Sequence, residues 1–356
     1  LTEAREIDIH TQASRYTPRM SRAFTSKVFL WVGTFAGCLA AKGESRAGGY
    51  LLVANKGAHS LSIVDAATEV QIAQVAEEGD TGHEVAVSPD GKRAFVPIYG
   101  NSGVGRPGSD GSLIRVIDLS RRAVVGTVDF GRGIRPHRPV FGPRDGLLYV
   151  TTELEDSVTI IDPGSLKVVG SIPTGKAESH MLAISRDGRR GYTANVRSGT
   201  VSVLDLQTRS LEATIAVAPA IQRIALSTDD RWVFTADQTA LRLAVIDTVS
   251  NSVSRSIPLP GLAFGTAATP DGRWLVVAMP AIDKVGLVDL SAMRLVRTLD
   301  VPRSPQEVLV RPDGLVAYVS CDRSAKVAVV DLKDWGVRRL IDVGSVDDGL
   351  AWAAAD

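Results

Sequence analysis

From residue 48 onward the chain alternates short apolar runs with turns rich in Gly, Asp, Ser and Pro. Residues 181–222 show the unit plainly. "MLAIS" is an apolar run, and "RDGRR" is a Gly-containing turn in which glycine tolerates positive φ. "GYTAN" reads as a second strand, "GTVSVLD" alternates as a third, "LQTRS" turns, and "LEATIAV" is a fourth. No unit carries an apolar stripe of helical period long enough to form a helix. The third strand of each unit ends in aspartate: Asp65, Asp118, Asp162, Asp205, Asp247, Asp289 and Asp331. Successive gaps are 53, 44, 43, 42, 42 and 42 residues, so the unit is about 42 residues long and one copy is enlarged by about eleven.

Seven units of four short antiparallel strands predict an all-β, seven-bladed β-propeller. The first unit lacks an innermost strand, because "YLLVAN" (50–55) matches the second strand of the others. The missing strand is supplied at the far end, where "DDGLAWAAAD" (347–356) matches the opening of a unit and then stops. The C-terminal strand is therefore expected to join the N-terminal blade and close the ring, leaving no open edge. The recurring aspartates read as turn caps rather than catalytic groups.

The second strands "LVAN" (52–55), "YVTT" (149–152), "YTAN" (192–195) and "YVSC" (318–321), with "SPDG", "TPDG" and "RPDG" turns, resemble the YVTN-type repeat of bacterial envelope propellers. The resemblance covers nearly all of the chain after residue 48. It implies the propeller fold and leaves function open, since propellers with similar repeats include lactonase-like, streptogramin-lyase-like and haem d1-type proteins. Gly-His and Trp-Asp dipeptides do not recur with the period, which argues against a WD repeat.

Ahead of the repeats, Met20 is followed by the basic stretch Ser21–Lys27 and the uncharged run "VFLWVGTFAGCLAA" (28–41). That is the shape of a secretory signal and is short for a membrane span. "FAGC" (35–38) resembles a lipoprotein signal-peptidase box with Cys38 as the lipidated residue, although Phe35 stands where Leu is usual. Cleavage after "SRA" (45–47) and a plain anchor helix compete with it. The expected organisation is upstream residues and an export segment over 1–47 (the segment about 20–47), then one propeller domain over 48–356. The expected location is the periplasm or cell envelope.

Lys plus Arg and Asp plus Glu are balanced at 40 each, so no basic surplus points to nucleic acid. Two cysteines, Cys38 and Cys321, make no disulfide framework. The mature domain is expected to be a monomer without a membrane span. Its expected partner is a small molecule, a metal ion or an envelope protein.

Candidate chemistry lies in one position of the repeat, at the start of the innermost strand: His83, His137, His180, Gln222, Phe264, Gln306 and Asp348. Three of five histidines occupy this slot on consecutive blades, at the mouth of the axial funnel. Neutral imidazoles are ligands for zinc, copper or iron, and three of them leave a position open. His83, His137 and His180 are therefore candidate metal ligands, with Glu84 and Glu178 as candidate general bases. Glu307 lies near the same slot. The competing readings are a polar pocket without metal, and inheritance of one ancestral residue by several repeats. The enlarged copy places "IYGNSGVGRPGSDGSLI" (98–114) on the same face as a candidate lid. Tyr99, Asn101 and Arg106 from it, with Glu153, Asn195, Gln222 and Gln306, are the candidate funnel residues. Three functions remain open: a ligand- or metal-binding propeller without turnover, a lactonase-like metal-assisted hydrolase or lyase, and a protein-interaction scaffold.

Overall fold

The computed structural model describes residues 48–101 and 103–354. The expected export segment and Cys38 lie outside the described residues. Each repeat folds into one four-stranded antiparallel sheet, and there are seven such sheets. Blade 1 is built from Gly49–Asn55, Ser60–Asp65, Val70–Ala76 and the distant Asp347–Ala354, which pairs antiparallel with Gly49–Asn55. This is the expected ring closure. At its end Gly49 lies under Trp352, where a Cβ would come within 2.5 Å of the indole. The only helical elements among the described residues are single 3-10 turns at Glu153–Glu155 and Pro280–Ile282. None of them is long or apolar enough to cross a membrane.

The local chemistry of the repeat explains its regularity. Each third-strand aspartate turns its Oδ1 onto backbone N–H groups two or three residues on, as Asp205 does with Gln207 and Thr208 at 2.8 Å. Asp65, Asp118, Asp162, Asp247, Asp289 and Asp331 repeat the contact. The turn then needs a residue at positive φ, supplied at the same place in every blade by Glu69, Arg122, Leu166, Arg209, Asn251, Met293 and Trp335. The second strand's last residue closes the next turn. Asn195 Nδ2 donates to Thr200 Oγ1 and Ser202 Oγ, and Asn55 Nδ2 to Ser60 and Ser62.

The core is a ring of interfaces rather than one centre. Alternate side chains of the middle strands pack against the neighbouring blade in seven apolar clusters, one for each blade-to-blade interface. Val203, Leu204 and Ile246 are fully buried in this way, each worth about 1.5–3 kcal/mol. The fourth strands form the outer wall and are largely exposed. The innermost strands border the axis and carry the residues that matter for function.

Candidate functional site

Two backbone devices turn side chains toward the axis. Two residues before the slot, the chain adopts left-handed geometry without glycine at Thr81, Arg135, Glu178, Ser304 and Val346, with φ from 52 to 60°. The innermost strand then bulges. Pro136 pairs with Thr152 and Pro139 with Val150, so His137 and Arg138 together oppose Thr151. The register slips in the same way at His180, at Gln222–Arg223, at Gln306–Glu307 and at Asp348–Gly349. A bulge re-aims side chains. Here it directs the slot residue and its successor into the channel, giving two groups of axial side chains.

The first group is an imidazole cluster. His137 and His180 stack face to face with centroids 3.6 Å apart, and His83 meets His137 edge-on at 5.3 Å. Tyr99 packs against all three rings. His137 donates from Nδ1 to the His180 carbonyl at 3.1 Å, which leaves Nε2 as the unprotonated nitrogen of its neutral ring. His180 Nδ1 faces Glu153 Oε2 at 3.3 Å, and Tyr99 donates its hydroxyl to the same oxygen at 2.5 Å. Burial holds the His137 imidazolium well below its ordinary range, reinforced by His180 and His83. Burial likewise lowers His83 to about 3, with the Lys56 charge adding to the effect. Burial pulls the Glu153 carboxyl up, but hydrogen bonds from His180, Tyr99 and Arg135 prevail and lower it.

The second group is an ion cluster that the sequence reading missed. Arg223 of blade 5 reaches Glu84 Oε1 of blade 2 at 2.5 Å, Glu307 of blade 7 at 2.9 Å and Asp348 of blade 1 at 2.8 Å. Arg138 of blade 3 binds the other Glu84 oxygen and approaches Glu307 at 3.5 Å, and Lys56 pairs with Asp348 at 3.2 Å. Three cations meet three carboxylates, and five blades are joined across the axis. Phe264 lies against the Arg223 guanidinium at 4.6 Å. The signal was present one position after the histidine slot, which reads Glu84, Arg138, Met181, Arg223, Gly265, Glu307 and Gly349. Charged residues on buried strands require partners.

The enlarged loop closes one side of the funnel. Arg135, itself buried, fastens it: Nε binds Asp110 at 2.6 Å, Nη2 the Arg106 carbonyl at 2.8 Å, and Nη1 Glu153 at 3.1 Å. Asn101 and Ser109 brace the loop internally. Beneath it Tyr99, His137 and His180 are 0, 1 and 3 % exposed. His83 is the most accessible imidazole of the three, with its side chain 15 % exposed and Asp348 Oδ2 3.8 Å from Nδ1, beyond hydrogen-bond distance. Across the axis, between blades 5 and 7, the same mouth opens into a cavity of 380 Å³ lined by slot residues Phe264 and Gln306 together with Gln238, Pro280 and Arg323.

Other candidates are placed elsewhere. Both oxygens of Glu84 are engaged by guanidinium groups. Glu178 is the left-handed residue two before His180, and its carboxylate pairs with Arg197 and lies against the tip of the loop at Gly105. Asn195 is buried within its own blade, held by Ser179, Thr200 and Ser202. Arg106 contributes a carbonyl to the latch, and its side chain is exposed. Gln222 is half-buried on the axis, and Gln306 binds Ser304. Among the described residues no three His, Cys, Asp or Glu converge on a point that would hold a metal ion. The stacked His137 and His180 present faces to each other rather than lone pairs to a shared centre. Nothing in this arrangement supports zinc or copper.

The family model of the cytochrome D1 heme domain matches residues 143–351, from the inner hairpin of blade 3 to the closing strand. The chain belongs to the cytochrome D1 heme domain family. Nothing selects the lactonase-like group that the repeat resembles. The sequence matches no curated protein. Several solved structures share the fold of this D1 heme domain protein. Kuenenia stuttgartiensis hydrazine synthase has a TM-score of 0.71 at 20 % identity, over 84 % of this chain and 99 % of that one. A functionally unknown protein from Desulfotomaculum acetoxidans has 0.71 at 14 %, over 86 % and 99 %. Dihydro-heme d1 dehydrogenase NirN, in complex with DHE, has 0.64 at 16 %, over 85 % and 74 %. At these identities the likeness is one of fold.

Proposed function

We propose that this protein is an exported propeller that binds an iron tetrapyrrole of the haem d1 type in its axial funnel, with His83 as the iron ligand. The observation that carries the reading is the state of His83: a neutral imidazole, partly exposed at the open mouth, and free of any tight carboxylate contact. A haem iron brings four ligand atoms of its own, so it needs one accessible imidazole and no converging set of protein ligands. The donor set fits that group and does not fit a bare divalent ion. Membership of the D1 heme domain family, and the complex of the similarly folded NirN with DHE, support the same choice.

The chain's own groups shape the site around that ligand. The Arg223 cluster ties blades 1, 2, 5 and 7 together across the axis, and within it burial raises Glu307 to about 7 against the pull of Arg223 and Arg138. The latch through Arg135 keeps water from His137 and His180. Tyr99 and Glu153 fix the orientation of the His180 ring from below the loop. A bound haem iron would supply a redox-active centre with a further coordination position. An envelope location, resting on the export segment expected over about 20–47, belongs to the same proposal.

Titration of the purified propeller with ferric haem tests this. The expected result is a saturable, red-shifted Soret band with the spectrum of imidazole ligation, lost or converted to a weak-field form in His83→Ala. A His83→Ala protein with the wild-type spectrum and affinity would overturn the assignment.

A further inference from the structure

The ring closes where Asp347–Ala354 pairs with Gly49–Asn55, and the pair at one end of that seam is Asn55 with Asp347. Both residues are fully buried. Asn55 Nδ2 donates to the Ser60 carbonyl and to the Ser60 and Ser62 hydroxyls, which fixes the orientation of the amide and leaves Oδ1 as an acceptor. Asp347 Oδ2 accepts from the Cys321 N–H of blade 7 at 2.7 Å. The remaining oxygens, Asn55 Oδ1 and Asp347 Oδ1, are buried with no hydrogen-bond partner among the described residues. Two unsatisfied acceptors on cross-strand partners need a donor.

The repeat shows where that donor belongs. Asp347 stands one residue before the slot, in the place of Ser179 in blade 4, and Asn55 stands in the place of Asn195. Ser179 and Asn195 are paired across the strands in the same way, and there Ser179 Oγ donates to Asn195 Oδ1 at 2.7 Å. Thr193 gives that oxygen a second donor at 2.9 Å, whereas blade 1 has Val53 at the same place. We infer that Asp347 is a neutral carboxylic acid that donates its proton to Asn55 Oδ1, making the seam between the first and last strands a pH-sensitive closure of the ring.

The surroundings favour the neutral acid. Burial raises the Asp347 carboxyl from 3.8 to about 7 against the Cys321 N–H, and the charges of Asp322 and Asp348 add to the rise. The cations near the seam are engaged elsewhere: Lys56, next to Asn55, holds Asp348, and Arg223 holds Asp348, Glu84 and Glu307. From blade 2, His83 faces Asp348. Burial also raises the Cys321 thiol, which stays neutral. In an open seam Asp347 regains its ordinary acidity, so closure takes up a proton. The stabilisation is full below pH 3.8 and is lost as pH rises through about 7. The next residue, Asp348, is the blade 1 member of the axial ion cluster, so release of the strand also loosens that cluster.

Amide exchange of the intact chain from pH 5 to pH 8, corrected for the intrinsic rate, tests this. Opening of the closing strand over 349–353 is read against Ile221–Leu226, the matching strand of blade 5. In the wild type the ratio should rise by up to about tenfold for each pH unit from 5 to 7 and level off above that. Asp347→Asn keeps an N–H for Asn55 and an oxygen for Cys321 but does not titrate, so its ratio should not change with pH. An infrared difference spectrum, wild type minus Asp347→Asn, should show the carbonyl band of a protonated carboxyl at pH 5 and lose it at pH 8. A wild-type ratio that is flat with pH, an Asp347→Asn ratio that follows the wild type, or the absence of that band at pH 5 would overturn the inference. So would loosening of the seam by EDTA at pH 5, because the two oxygens would then be holding a cation in place of a proton.

Discussion

Replacing Arg223 with methionine should unbalance the axis of the propeller. The guanidinium is buried and has three carboxylate partners at 2.5, 2.9 and 2.8 Å, drawn from blades 2, 7 and 1. Methionine keeps much of the volume and removes the charge, leaving Glu84, Glu307 and Asp348 with only Arg138 and Lys56. Removing one partner of a buried ion cluster costs about 3–5 kcal/mol. Unfolding entropy of about 2.1 cal/mol/K per residue, over a propeller of roughly 300 residues, turns that into a fall in melting temperature of about 5–8 °C. The pH dependence carries the sign. In the wild type burial raises Asp348, and Lys56 and Arg223 outweigh it, so its carboxyl ends well below the ordinary range. Without Arg223, Asp348 loses one of the charges that hold it down, and Glu307, already raised by burial to about 7, moves further up. A raised acid contributes stability that is present at low pH and lost as pH rises through its folded value. The variant's deficit should therefore be largest near pH 8 and shrink toward pH 5. Adding Glu307→Gln should restore much of the loss, because it leaves Arg138 paired with Glu84 and Lys56 with Asp348, and no buried charge is left over. Calorimetric melts of the single and double variants at pH 5 and 8 test this. A single-variant loss under about 1 kcal/mol, or one of equal size at both pH values, would refute the reasoning.

Two further outcomes follow from other buried groups. Burial raises the Glu77 carboxyl from 4.5 to about 7 against the opposing Gly82 N–H, so its stabilising contribution is full below pH 4.5 and lost as pH passes about 7. At 1.36 kcal/mol for each tenfold step, Glu77→Gln should be about 3 kcal/mol more stable than wild type at pH 8 and equal to it near pH 4.5; parallel stability curves across that range would contradict this. Arg135→Ala should release the loop, since a charged hydrogen bond is worth about 1.5–3 kcal/mol. Amide exchange over residues 103–110 should rise by at least roughly tenfold, and unchanged protection there would show that Arg135 is not the latch.

The fold was legible because the chain states it seven times. One aspartate every 42 residues fixed the blade count, and "DDGLAW" at the far end showed where the ring closes. The site was half legible. Equal spacing placed His83, His137 and His180 in one slot, and the structure brings them into contact. Spacing does not show the direction of a side chain, which here depends on a left-handed residue and a bulge. That is why Glu178, two residues from His180, pairs with Arg197 instead of joining the imidazole cluster, and why Asn195 serves its own hairpin. The Arg223 cluster was hidden for another reason: its members come from five blades and are as far apart in sequence as residues 84 and 348. Only closure of the ring brings them together.

The most direct test of the central claim is a crystal structure of the propeller grown with haem. The expected result is a macrocycle in the axial funnel, its iron bonded to a His83 ring nitrogen at about 2.0–2.1 Å, an imidazole–metal length. A macrocycle elsewhere on the molecule, or in the funnel with its iron on another residue, would contradict the account.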